Sequence, residues 1–204
     1  MRRTDFAGVI LAGGRAGRMG GGDKCLLTLG GRPILSHILD RFSPQVDTVV
    51  LNANGPAERF STFGLSVLTD PVADMGPLGG VLVGLSWARE KRMAAIVTVA
   101  GDTPFLPADL VARLNEGRGG AETIVQAASG GRVHPTFALW PTALADDLRL
   151  FLEENGASSL RAFAGGRHEA TIVDFPHAAG RDPFFNINTP RDLETAEAMV
   201  REAQ

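Results

Sequence analysis

Seven apolar runs of strand length alternate with glycine, proline or helical period, and that alternation leaves few architectures open to this chain. The runs are Phe6–Leu11, 46–51, 65–69, 94–100, 123–127, 135–140 and 171–175. Several stretches between them carry apolar side chains on one helical face. Residues 33–42 do so with Ile34, Leu35, Ile38, Leu39 and Phe42; 78–92 with Leu78, Val81, Leu82, Leu85 and Ala88; 107–115 with Leu110, Val111 and Leu114. Strands that are apolar almost without interruption are buried on both faces, and amphipathic helices supply the cover. The expectation is a three-layer α/β/α fold with a mainly parallel sheet. Pro33, Pro77, Pro107 and Pro190 each fall near the first turn of a helical pattern, where a missing N–H costs least. There is no internal repeat, no low-complexity tract and no dividing linker, and 204 residues suffice for one substantial core. One domain over 1–204 is expected. The glycine-rich stretch 117–131 most resembles a boundary, but 123–127 inside it reads as a strand.

Charge narrows the function. A formal net charge of −3 gives no global field for nucleic acid or an anionic membrane. Within residues 1–32, however, six cations (Arg2, Arg3, Arg15, Arg18, Lys24, Arg32) face two anions (Asp5, Asp23), so that end suits an anionic ligand. The single cysteine, Cys25, excludes an intrachain disulfide and a multi-thiolate metal centre and fits a reducing compartment. The apolar run from Phe6 to Ala12 breaks at Gly13-Gly14, too short for a signal sequence or a membrane span. A cytoplasmic protein is expected, without nucleic-acid or membrane partners.

The first strand runs straight into Gly13-Gly14-Arg15-Ala16-Gly17-Arg18-Met19-Gly20-Gly21-Gly22-Asp23-Lys24. Glycine lets backbone N–H groups approach an anion without side-chain obstruction, and loops at the carboxyl ends of strands are where open α/β sheets bind ligands. Arg15, Arg18 and Lys24 add balancing charge, so the loop suits a triphosphate, with Arg18 and Lys24 best placed. It is not the nucleotide-triphosphatase loop, because Lys24 precedes Cys25 rather than Ser or Thr, and it lacks the glycine spacing of the dinucleotide fingerprint.

Carboxylates and amides follow the later strands. Asp102 comes just after the fourth run, where a hard oxygen ligand would meet a nucleotide; magnesium takes one or two such carboxylates, with phosphate and water completing its shell. The competing role is capping the helix near Pro107. Asn52 and Asn54 fit contacts to a base or ribose and fit plain turn chemistry as well. Asp70, before Pro71, reads from the residues alone as a turn. Asn186 and Asn188 alternate along 184–188, so both point to one face, suited to a ligand rich in donors and acceptors; amide pairing and capping of the final helix is an equal alternative. That helix, from Pro190, carries Leu193, Ala196, Met199 and Val200, a pattern expected to pack within the molecule. The four histidines show no metal-ligand spacing, and no Ser/His/Asp triad is legible.

Leu11-Ala12-Gly13-Gly14, Arg18-Met19-Gly20, Asp23-Lys24, Leu26-Leu27, Leu29, Gly31 and Pro33 together resemble the signature of the molybdopterin-guanine dinucleotide synthases, also called molybdenum cofactor guanylyltransferases. The resemblance continues through Asn52-Ala53-Asn54, Asp70, Gly76-Pro77-Leu78 with Gly80, Asp102-Thr103-Pro104, and Asn186 with Asn188-Thr189-Pro190. It implies a Rossmann-like fold of the nucleotide-diphospho-sugar transferase type, with the nucleotide in the N-terminal part and the acceptor in the C-terminal part. It also implies GMP transfer from GTP to the phosphate of molybdopterin or Mo-molybdopterin, with Mg2+ as cofactor. Leu11, Ala12, Gly13 and Gly14 would meet the nucleotide through the backbone, Lys24 and Arg18 its phosphates, Asn52 and Asp70 the guanosine, and Asp102 both nucleotide and metal. Catalysis would fall to Lys24, Arg18 and Asp102. Asn186 and Asn188 would serve the acceptor or the metal. Other cofactor-biosynthesis proteins and molybdoenzyme chaperones are the implied macromolecular partners. The rival expectations are a cytidylyltransferase acting on molybdopterin or methylerythritol phosphate, a sugar-phosphate nucleotidyltransferase, and a non-catalytic molybdopterin carrier.

Overall fold

The computed structural model describes residues 5–13, 22–70, 75–156, 159–166, 168, 170–176 and 181–202. Seven strands form the main sheet: β1 (Phe6–Leu11), β4 (Thr48–Asn52), β5 (Ser66–Leu68), β6 (Ala95–Ala100), β7 (Ile124–Ser129), β8 (Arg132–Pro141) and β9 (Ala170–Asp174). A short hairpin pairs β2 (Thr28–Leu29) with β3 (Arg32–Pro33). The main order is β5-β4-β1-β6-β8-β7-β9. All seven expected strands are present, and the sheet is parallel except for β8, which runs against both β6 and β7.

That reversal comes from a two-residue turn. Ser129 pairs with Arg132, and the intervening Gly130 and Gly131 have φ of 54° and 77°, the left-handed pair that a tight hairpin needs and that glycine adopts without strain. The glycines that hinted at a boundary therefore form part of a hairpin. Further along, the β7–β8 register jumps: Ala127 faces His134 but Gln126 faces Ala138. The surplus residues begin at Pro135, which has no N–H to give a ladder, and bulges of this kind re-aim side chains.

Helices α1 (Ile34–Phe42), α2 (Pro77–Glu90), α3 (Leu110–Glu116) and α6 (Pro190–Glu202) occupy the stretches of helical period, while α4 (Ala145–Asn155) and α5 (Leu160–Gly166) were not expected. Successive strand residues point to opposite faces, so Ile10, Val97 and Val125 enter one core with α1, α3 and α6. Val9, Ile96 and Ile124 enter the other with α2, α4 and α5. The three-layer arrangement follows. Phe42 and Phe163, one in each core, are wholly buried, and truncating either to alanine would cost about 3–5 kcal/mol. On α6, three of the four expected apolar residues, Leu193, Ala196 and Val200, pack on the first core while Met199 is not among those that do, and Glu197 accepts a hydrogen bond from Gly30 N–H at 2.9 Å, beside the β2–β3 turn. Asn186 and Asn188 differ from expectation in one respect: segment 184–188 is not a strand of the sheet. Among the described residues no helix is long and apolar enough to cross a membrane.

Candidate active site

β1 and β6 are neighbours with parallel register, so the turns that leave their carboxyl ends emerge side by side. Gly101 N–H donates to Leu11 O at 3.0 Å and Ala12 N–H to Asn52 O at 2.8 Å, which carries the strand pairing one step past the sheet edge on both sides of β1. Over this edge lies a cleft of about 480 Å3. Leu11, Ala12, Gly13, Lys24, Asn52, Asp70, Asp102 and Asn186 all line it, bringing together most of the residues picked out from sequence. Gly14 and Arg18 lie outside the described residues, as do Arg15 and Pro71.

Lys24 and Asp102, 78 positions apart, form one end. Lys24 Nζ is 3.3 Å from Asp102 Oδ2 and donates to Asn188 Oδ1 at 2.5 Å, and the side chains of Lys24 and Asp102 are each 17% exposed. The Asp102 carbonyl accepts Ile187 N–H at 2.9 Å, which anchors the 184–188 segment beside the carboxylate. Thr103 Oγ donates to Asn186 Oδ1 at 2.7 Å. Both asparagines thus meet the Lys24–Asp102 pair or its immediate neighbour. Neither caps α6: Thr189 N–H donates to Asp192 Oδ2 at 2.8 Å while Asp192 N–H returns a bond to Thr189 Oγ at 3.2 Å, a reciprocal cap. Nor does Asp102 cap α3, since Asp109 stands at that helix's entrance.

Asn52, Asn54 and Asp70 form the other end. Asn52 Nδ2 donates to Asp70 Oδ1 at 2.7 Å, Asn54 Nδ2 to Asp70 Oδ2 at 2.9 Å, and Asp70 N–H to Asn54 Oδ1 at 3.0 Å. Two amides therefore fix the plane of one carboxylate, and each of its oxygens keeps a lone pair for a ligand. Gly80 in α2 makes room: a Cβ there would run into Asn52 Oδ1 and come within 2.7 Å of Leu11 Cδ2.

Thr136 and Cys25 also line the cleft, though neither was expected there. Thr136 sits among the surplus residues of the β8 bulge, a register feature with no local sequence signal. The Cys25 thiol is pushed up to about 12 by burial first and by the Asp23 carboxylate second, so it stays protonated and unreactive at neutral pH. His134 is 2.8 Å from Ser129 Oγ, but the serine hydroxyl donates to Asp182 Oδ1, so the three do not form a charge-relay order.

Among the described residues no three His, Cys, Asp or Glu side chains cluster as a cage for a metal ion. The donors that gather are oxygens, one carboxylate with amides and a hydroxyl beside it, open to the cleft. Such a set fits a hard cation that draws most of its shell from phosphate and water.

A mainly parallel α/β sheet with a lysine–carboxylate pair in a cleft at its carboxyl edge fits the class of nucleotide-binding α/β proteins. In keeping with that, the family model described as MobA-like NTP transferase domain matches residues 8–171. The chain is similar to a molybdenum cofactor guanylyltransferase of Mesorhizobium japonicum, 51% identical over 204 residues, covering 98% of both chains. One from Rhodopseudomonas palustris is 48% identical, covering 94% of this chain and 92% of that one. The chain belongs to the molybdenum cofactor guanylyltransferase family. Its fold is similar to that of molybdopterin-guanine dinucleotide biosynthesis protein A from Archaeoglobus fulgidus, with a TM-score of 0.74 at 24% identity over 96% of this chain and 99% of that one.

Proposed function

We propose that the protein transfers GMP from GTP to the phosphate of molybdopterin or Mo-molybdopterin, forming a phosphoanhydride bond at the α-phosphorus and releasing pyrophosphate. The observation that carries this reading is the two-ended cleft: Lys24 and Asp102 at the phosphate end, and a carboxylate pinned by two amides at the other. Guanine presents two adjacent donors, N1–H and the 2-amino group, and Asp70 offers two acceptors in a fixed plane. Cytosine presents acceptors at the equivalent edge, so it would meet the carboxylate with like polarity.

The acceptor phosphate is already anionic and pyrophosphate is a good leaving group, so the protein's task is positioning and charge stabilisation rather than covalent catalysis. The Leu11–Gly13 backbone lines the path of the nucleotide, with the Ala12 N–H itself held by Asn52 O. Lys24 turns from Asp102 towards the β- and γ-phosphates and stabilises the charge that develops there, with Arg18 and Gly14 assigned to the same task by the sequence pattern. Asp102 would hold Mg2+, with Asn186 or Asn188 as neighbouring oxygens; when bound, the ion neutralises phosphate charge and polarises the α-phosphorus. Asn186 and Asn188 also lie where acceptor groups would be held. The product would pass, in the cytoplasm, to cofactor-biosynthesis proteins or molybdoenzyme chaperones.

The test is pyrophosphate release by the purified protein with molybdopterin and magnesium, supplying GTP, CTP, ATP and UTP separately, with Asp102→Ala as control. Release with GTP alone, lost in the variant, is expected. Preference for CTP would move the protein to cytidylyl transfer, and tight molybdopterin binding with no release from any nucleotide would make it a carrier.

A further inference from the structure

Asp23 immediately precedes the phosphate-binding lysine, yet its carboxylate does not touch Lys24 in the structure and does not cap the short 3-10 helix, Lys24–Leu26, that it introduces. It goes to Arg59 instead. Arg59 Nε donates to Asp23 Oδ2 at 2.5 Å and Nη2 lies 3.3 Å from Asp23 Oδ1. The rest of the guanidinium is committed as well: Nη2 donates to Asn54 O at 2.6 Å, Nη1 donates to Pro56 O, and the carbon centre lies 4.4 Å from the centroid of the Phe60 ring, itself buried. The Arg59 and Asp23 side chains are 24% and 19% exposed, and neither lines the cleft.

We infer that Arg59 is a positioning residue that ties the base end of the cleft to its phosphate end, so that recognition of the base and placement of Lys24 depend on each other. This rests on the roles given to Asp70 and Lys24 under the proposed function. The connection is continuous and each link is short. The residue whose carbonyl Arg59 holds, Asn54, grips Asp70 through both its amide nitrogen and its amide oxygen. The residue whose carboxylate Arg59 holds, Asp23, sets the backbone from which Lys24 reaches Asp102 and Asn188. Arg59 also neutralises an anion that would otherwise stand next to the triphosphate. A guanidinium suits this place because its planar fork engages a carboxylate and two carbonyls at once, whereas an ammonium is a single point of charge.

The test measures kcat/KM for GTP and for inosine triphosphate, which lacks only the 2-amino group, in the wild-type protein and in Arg59→Ala, Arg59→Lys, Asp23→Asn and the Arg59→Ala/Asp23→Asn double variant. All are assayed below their melting temperatures. Arg59→Ala is expected to lower kcat/KM for GTP about 100-fold and to narrow the preference for GTP over inosine triphosphate about tenfold. Arg59→Lys, which keeps the charge, is expected to restore folding stability but only part of the preference. The double variant is expected to be no worse than Arg59→Ala alone. A preference within about twofold of wild type in both Arg59 variants, or losses that simply add in the double variant, would overturn the coupling and leave Arg59 a local staple. The wild-type protein alone decides which nucleotide reacts. If that is not GTP, the reading of function fails, and the coupling is judged by the same variants with the preferred nucleotide against the next best.

Discussion

At the scale of single residues, the site separates charge that must move from charge that must stay. Lys24 holds Asp102 across 3.3 Å but is ready to exchange that partner for phosphate, since a flexible ammonium re-forms contacts at little cost. Its loss removes stabilisation that matters most in the transition state, so Lys24→Ala should lower kcat about 100-fold or more with a smaller effect on KM, measured by steady-state pyrophosphate release. Cys25 makes the opposite case. With its thiol pushed up to about 12 by burial, it should resist alkylation by iodoacetamide at neutral pH in the native protein and react at the ordinary rate of a free thiol in denaturant, as mass spectrometry would show. Lys24 was legible in sequence by its place after a glycine-rich loop. Arg59 was not, because its carboxylate partner Asp23 lies 36 positions away and nothing in the short 3-10 helix that carries it, Ala57–Phe63, marks such a pairing. Long-range ion pairs leave no local pattern.

At the scale of elements, the entrance to α6 links stability to pH. Burial pushes the Asp192 carboxyl up, but the N–H groups of Asn188 and Thr189, the Thr189 hydroxyl and the Lys24 charge outweigh it and hold the carboxyl below its ordinary range. The native state therefore binds this proton less readily than the unfolded chain. The stabilisation is complete above the unfolded value, near pH 4, and drains away as the pH falls through the native value. Asp192→Asn should thus lower stability, by urea denaturation, at pH 7 and converge with wild type in strong acid. Thr189→Ala should cost about 1 kcal/mol at neutral pH. The elements themselves were largely readable from apolar period, and the exceptions have physical causes. α4 buries only Ala145, Leu148 and Leu152, a sparse stripe behind two acidic residues in its first turn, and α5 is seven residues ending in two glycines. The reversed β8 depended on reading Gly130-Gly131 as a turn of positive φ rather than as loop composition.

At the scale of the molecule, the two cores meet across a sheet whose carboxyl edge floors the cleft, so ligand binding and global stability are linked. A nucleotide that binds only the folded protein stabilises it by about 2.7 kcal/mol at a hundredfold excess over Kd, enough to raise Tm by about 5–10 °C in a chain of this size. GTP with magnesium should give that shift by differential scanning fluorimetry, and CTP should give much less. The most direct measurement of the whole account is the crystal structure of the protein with GTP and Mg2+. The guanine edge is expected against the Asp70 carboxylate, the triphosphate along Leu11 to Gly13 with Lys24 moved onto it, and the metal on Asp102. Guanine bound away from Asp70, or a triphosphate that leaves the Lys24–Asp102 pair intact, would contradict it.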